Sequence, residues 1–154
     1  MVNHPDVFGF FGEFRYLSNF HVCDFVWDGM IWTSSEHAYQ ASKLNDFSKM
    51  KRFAKLSTPK DAKIAGGLIS LPDNWNDVKR QLMHSVVLAK FEQNPDIAKL
   101  LVGTGNAYLE ETNTWHDTTW GVCNGVGSNW LGEILMDVRS KLNRDILIDF
   151  IIGD

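Results

Sequence analysis

What this chain lacks narrows it first. Only two cysteines, Cys23 and Cys123, occur among its 154 residues, and they lie far apart with no C-x-x-C spacing. Neither a disulfide framework nor a cysteine-based metal site is read from them, and a reducing, cytoplasmic setting is the simpler expectation. Basic charge is also scarce: 15 Lys and Arg stand against 19 Asp and Glu, for a net charge of −4. No broad basic surface follows, which argues against a sequence-independent grip on DNA or RNA and leaves only small basic pockets. Met1 to Phe14 has no basic region leading into an unbroken apolar run, so no signal peptide is expected. The apolar runs elsewhere are far short of a membrane span. The five histidines show no H-E-x-x-H pairing, and no metal is expected. The order G-x-x-x-x-G-K-[ST] is absent too, so there is no P-loop.

What is present is an ordinary core with unusual aromatics. Hydrophobic residues make up 44% and charged residues 22%, enough apolar material for one globular domain and too much for disorder. Six Trp and ten Phe can fill that core or line a site for a flat ligand. No repeat or linker is visible, so residues 1–154 are read as a single domain.

Phe8 to Phe20 is aromatic and glycine-punctuated without helical period. Asp28-Gly29 between two apolar runs predicts a hairpin. Helical signals follow. Thr33-Ser34-Ser35-Glu36 opens a helix to about Leu44, and Phe47, Met50, Phe53 and Ala54 mark a second. Thr58-Pro59 opens a third, which Gly66-Gly67 ends. A long helix from about Trp75 to Gln93 carries Val78, Leu82, Val86, Ala89 and Gln93 as its apolar stripe. Asn94-Pro95 starts another, with Ile97, Leu100 and Leu101 inward and Gly103 as the stop. Thr104 to Gly127 reads as loops with a short extended piece at Tyr108 to Glu111. A last helix spans about Asn129 to Asn143, and the apolar tail Ile146 to Ile152 is expected to pack on the domain or on a partner. The fold class is therefore mainly α, multihelical and compact, with a small N-terminal β element.

The richest polar constellation is Ser34-Ser35-Glu36-His37-Ala38-Tyr39-Gln40-Ala41-Ser42-Lys43. On a helix, Glu36, Tyr39, Gln40 and Lys43 share one face, which is either solvent or a pocket. A first-turn carboxylate near the positive end of the helix suits stabilisation of a sugar cation or activation of water. Glu36 also lies three residues after Thr33, the capping-box position, where a cap needs no active site. Trp75 at a helix start is either a stacking ring or a core anchor. Asp117-Thr118-Thr119-Trp120-Gly121 offers a second carboxylate and a second indole, although a loop Asp is commonly a turn residue. Lys43 is a phosphate or Schiff-base candidate, or a solvated helix-end lysine.

Taken in order, these motifs resemble the YbiA/NADAR family. The matching segments are Tyr16-Leu17-Ser18-Asn19-Phe20, then Ser35-Glu36-His37-Ala38-Tyr39-Gln40-Ala41 with Lys43, then Trp75-Asn76 with Lys79 and Met83. Ala89-Lys90-Phe91 with Gln93-Asn94, Leu109 with Glu111, Asp117 with Trp120-Gly121, Gly127 with Asn129, Leu131-Gly132, Leu135-Met136 and Val138-Arg139 complete the series, covering about residues 8–142. The chain departs in Val122-Cys123-Asn124-Gly125-Val126 and in its apolar tail, 145–154.

The resemblance implies a compact, mostly helical N-glycosidase that needs no cofactor. Family members cleave ribosylamino-pyrimidine phosphates of early riboflavin synthesis, and others remove ADP-ribose from guanine in DNA. It implies Glu36, Asp117 and Trp75 as catalytic residues. Asn19, Phe20, His37, Lys43, Trp120, Asn129 and Arg15 are the candidate substrate contacts, with Lys43 or Arg15 on the phosphate. The expected partner is a small phosphorylated ribosyl substrate, with no membrane. DNA enters only in the rival reading, where Lys49, Lys51, Arg52, Lys55, Lys60 and Lys63 would form a basic rim. A non-catalytic ADP-ribose sensor is a further alternative.

Overall fold

A computed structural model describes residues 3–153. In chain order come β1 (Val7–Phe8), a 3-10 helix (Gly12–Leu17), β2 (Phe25–Trp27), β3 (Met30–Trp32), α1 (Ser35–Ala41), α2 (Phe47–Ala54), α3 (Pro59–Gly66), α4 (Trp75–Glu92), α5 (Pro95–Gly103), β4 (Leu109–Glu110), β5 (Thr112–Asn113), β6 (Val122–Cys123) and α6 (Trp130–Ile152). The chain is mainly helical with short strands. The described chain forms two compact units, one of residues 18–94 and one of residues 3–17 with 95–153.

In the 18–94 unit, β2 and β3 form the expected antiparallel hairpin, pairing Phe25 with Trp32 and Trp27 with Met30. Asp28 and Gly29 both take positive φ, 51° and 75°, the mirror-image turn that matches strand twist and tolerates these two residue types. The hairpin contributes Phe25, Met30 and Trp32 to a core completed by Ala38, Ala41, Met50 and Val86. Around this core α1 packs on α2, α3, α4 and β3. Seven residues cannot hold a helix in water, so α1 exists because every one of its positions is buried. It stops at Ala41, short of Leu44, where Ser42 donates its backbone N–H back into the last turn.

The stripe expected on α4 is displaced. The buried positions are Trp75, Met83, Val86, Val87, Lys90 and Phe91. Of the expected set only Val86 is buried; Val78, Leu82 and Ala89 are half-covered and Gln93 is exposed. A lysine and a tryptophan on the inner line disguise it in the sequence. Gln93 is tied instead to the hairpin, its amide accepting from Val26 N at 2.7 Å and donating to Val26 O at 2.8 Å.

In the other unit, β1 pairs in parallel with β4 and β5 with β6. α5 and β4 pack on α6. Ile97 and Leu101 face inward as expected, whereas Leu100 is 53% exposed because it lies off their shared helical line. Buried Arg139 on α6 donates to Thr104 Oγ1 at 2.9 Å and Ala107 O at 2.8 Å. The α6 stripe of Leu131, Ile134, Leu135, Val138 and Leu142 is buried. The helix then runs on to Ile152, since no Gly or Pro interrupts it and Lys141 bridges Asp145 one turn ahead at 2.8 Å. The tail does not pack on the domain: Phe150 is 86% exposed and Ile151 and Ile152 are 74% exposed on the chain by itself. Among the described residues no helix is long and apolar enough to cross a membrane.

Candidate active site

The site is built outward from the first turn of α1. The cap is Ser34, with extended backbone, whose Oγ accepts from His37 N at 3.1 Å. That places His37, not Glu36, three residues after the cap. The capping-box account of Glu36 therefore fails by one residue. Glu36 is only 7% exposed, and its backbone N–H donates to Asn19 O at 3.1 Å. Its Oε1 accepts from Gln40 Nε2, one helical turn on, at 2.9 Å. A buried carboxylate needs such a partner to offset its lost hydration.

Asn19 fastens this turn from outside the helix. Its Oδ1 accepts from Ser35 Oγ at 2.8 Å, and its Nδ2 donates to Met83 Sδ at 3.5 Å. His37 is 1% exposed, and both ring nitrogens are engaged, Nδ1 with Ser34 Oγ at 2.6 Å and Nε2 with Leu56 O at 2.9 Å.

Lys43 lies just beyond the far end of α1. Its Nζ donates to Gly66 O at 3.2 Å and stands 5.9 Å from the Trp75 ring centroid. Burial pushes the Lys43 pKa below its ordinary value, and the negative charge of Glu36 offsets part of that fall. Trp75 is 5% exposed, and its ring meets Tyr39 at 5.5 Å between centroids, tilted by 48°. Phe20, half-buried, has the Lys63 ammonium 5.8 Å from its ring centroid. The 18–94 unit thus gathers an acid, a lysine and an indole around α1, with Asn19 as strut.

The remaining sequence candidates belong to the other unit. Asp117 Oδ1 accepts from Thr119 N at 3.2 Å and Trp120 N at 2.9 Å, an Asx turn that fixes the loop. Asn113 clasps the same residue, accepting from Asp117 N at 3.1 Å and donating to Asp117 O at 2.9 Å. The Trp120 ring meets Trp130 edge-on at 5.6 Å. Asn129 is buried at left-handed φ, 52°, and its side chain is spent on Glu111 N at 3.0 Å and Leu109 O at 2.9 Å. Arg15 lies exposed on the 3-10 helix.

The comparisons weigh on this geometry. The NADAR domain model matches residues 9–143. The chain belongs to the NADAR family. "N-glycosidase YbiA" of Shigella boydii serotype 4 (strain Sb227) is 38% identical over 135 residues, covering 86% of this chain and 82% of the relative. A riboflavin biosynthesis protein of Vibrio vulnificus (strain YJ016) is 36% identical over 133 residues, 82% of this chain but 35% of that longer protein. The NMR structure of the E. coli protein YbiA superimposes with a TM-score of 0.83 at 32% identity, covering 96% of this chain and 89% of the other. This NADAR chain is a glycosyl hydrolase acting on N-glycosidic bonds.

Within the NADAR domain, Gln40 is the residue that sequence reasoning passed over. It shares the polar face of Glu36, Tyr39 and Lys43, either solvent or a pocket, but the sequence gives it no role of its own. Its burial is what distinguishes it, and burial depends on α3, which the α1 sequence does not reveal. Among the described residues no cluster of three or more His, Cys, Asp or Glu is placed to hold a metal ion.

Proposed function

We propose that this NADAR chain hydrolyses the N-glycosidic bond of a phosphorylated ribosylamine, of the kind found among early riboflavin-pathway ribosylamino-pyrimidine phosphates. The single observation that carries the reading is the buried Glu36 carboxylate, held by Gln40 at 2.9 Å and in electrostatic reach of Lys43, which itself lies beside Trp75. As the bond from the anomeric carbon to nitrogen breaks, its electron pair leaves with the base and positive charge grows on the ribose. A buried carboxylate stabilises that charge and orients the water that adds to the carbon. Trp75 supplies an aromatic wall.

Lys43 supports either of two routes. As an ammonium it holds the substrate phosphate. As a nucleophile, its amine adds to the imine carbon of a ring-opened ribosylamine and expels the amine of the base, and water then hydrolyses the lysine–sugar imine to free the sugar and the lysine. The name borne by the Vibrio relative favours the riboflavin-type substrate. One observation favours the rival, removal of ADP-ribose from guanine in DNA: Lys49, Lys51, Arg52, Lys55, Lys60 and Lys63 are all exposed on and between α2 and α3.

The test incubates the protein with a ribosylamino-pyrimidine phosphate and, separately, with ADP-ribosyl-guanine in an oligonucleotide. Mass spectrometry follows the released base and sugar. The expected outcome is base release from the first substrate and its loss, by roughly a hundredfold or more, in Glu36→Gln. Near-normal turnover in Glu36→Gln would remove the reading, and turnover of the oligonucleotide alone would establish the rival.

A further inference from the structure

Gln40 sits one turn beyond Glu36 on α1, and each side chain is 7% exposed. Its amide is used at one end only. Nε2 donates to Glu36 Oε1 at 2.9 Å, while Oε1 is buried without a hydrogen-bond partner. Burying an acceptor unsatisfied costs free energy, and native structures rarely keep one without a reason. Turning the amide end over end would set its oxygen against a carboxylate oxygen at hydrogen-bond distance. The present orientation is therefore selected by the acid, since a bond to a carboxylate is among the stronger ones available.

The socket for this amide is Gly66 on α3. A Cβ at Gly66 would overlap Gln40 Oε1 and Cδ, so the close passage of α3 over the amide needs a residue with no side chain. The same glycine's carbonyl accepts from Lys43 Nζ at 3.2 Å. One backbone position thus fixes both the amide that grips the acid and the lysine at the end of the helix.

We propose that Gln40 is the positioning residue for the catalytic carboxylate. Seated in the Gly66 socket, it fixes the rotamer of Glu36, and its unsatisfied oxygen is retained for that purpose. This inference rests on the reading of Glu36 given above. It assigns Gln40 no contact with substrate.

The test compares Gln40→Met, Gln40→Glu and Gly66→Ala with Glu36→Gln, using base release from a ribosylamino-pyrimidine phosphate. Methionine keeps the length and volume of Gln40 and removes both the donor and the unsatisfied oxygen. The expected result is a melting temperature lower by no more than a few degrees, since loss of the carboxylate bond is partly offset by removal of the unsatisfied oxygen, with KM within about twofold and kcat lower by roughly tenfold or more. Gln40→Glu, which puts an oxygen where the donor stood, is expected to lose at least as much kcat. Gly66→Ala, which displaces the amide, is expected to lower kcat in the same direction. A purely structural Gln40 would not slow turnover while largely sparing stability and KM. Two results overturn the proposal: Gln40→Met within twofold of wild-type kcat while Glu36→Gln is inactive, or a Met variant that melts lower by more than those few degrees and loses KM and kcat in parallel. Full activity of Glu36→Gln instead fails the underlying function, a separable outcome.

Discussion

Asn19, a candidate substrate contact, also holds the turn that carries Glu36. Its place in the Tyr16-to-Phe20 motif nominates it as a substrate contact, yet its side chain is committed to Ser35 Oγ at 2.8 Å and Met83 Sδ at 3.5 Å. Its carbonyl receives the Glu36 N–H, so the residue clamps the turn that carries the acid. Asn19→Ala should therefore lower stability by about 1 kcal/mol, because it removes the 2.8 Å bond and leaves the buried Ser35 hydroxyl only the longer 3.3 Å contact to the backbone carbonyl of residue 19. Urea denaturation monitored by tryptophan fluorescence measures it, and an unchanged midpoint would return Asn19 to the role of a ligand contact alone. The burial of Glu36 was not legible, although its polar face reads as either solvent or a pocket. What the sequence could not settle was cap against site, because Thr33, Ser34 and Ser35 are all plausible caps and the choice among them moves Glu36 by one position. The selection of Ser34 is made by His37, whose ring and backbone both bond its hydroxyl.

At the scale of elements, the parts with local causes were readable. Asp28-Gly29 dictates its hairpin through two positive φ angles, and Thr58 and Pro59 start α3 through a cap and a first-turn proline. The parts with distant causes were not. The inner line of α4 includes Lys90, whose ammonium is buried and donates to Ser18 O at 3.0 Å, and no periodicity rule puts a lysine inside. The end of α6 differs too, since apolar residues from Ile146 on continue the helix and are exposed on the chain by itself. Because those side chains are exposed on the chain by itself, replacing Leu147, Phe150 and Ile151 together by Gln should leave the melting temperature within about 2 °C, the behaviour of uncovered surface positions. The same triple variant should aggregate less in light scattering, since a contiguous exposed apolar patch is lost. A fall of many degrees would show that the helix end is covered in solution.

Across the whole molecule, two buried titratable groups, one in each unit, set how stability responds to alkaline pH. Burial pushes the Lys90 ammonium from its ordinary 10.5 down to about 8, with partial opposition from Cys23. Burial likewise raises the Tyr16 phenol from 10.0 to about 12, which Arg139 partly opposes and Glu13 reinforces. Between about pH 8 and 10.5 the unfolded chain holds a proton on Lys90 that the folded chain has released, so folding is favoured as pH rises, by at most about 1.4 kcal/mol per pH decade. Between 10.0 and about 12 the folded chain keeps the Tyr16 proton that the unfolded chain loses, so folding is disfavoured as pH rises. The 18–94 unit should therefore gain stability on the way to pH 10, and the other unit should lose it beyond. Hydrogen exchange of α4 and α6 amides, followed from pH 7 to 11 and corrected for intrinsic rates, reads the two units separately. Lys90→Met should flatten the α4 response, and Tyr16→Phe should flatten that of α6. An α4 profile that falls monotonically from pH 8, or one that Lys90→Met leaves unaltered, would contradict this account of the buried lysine.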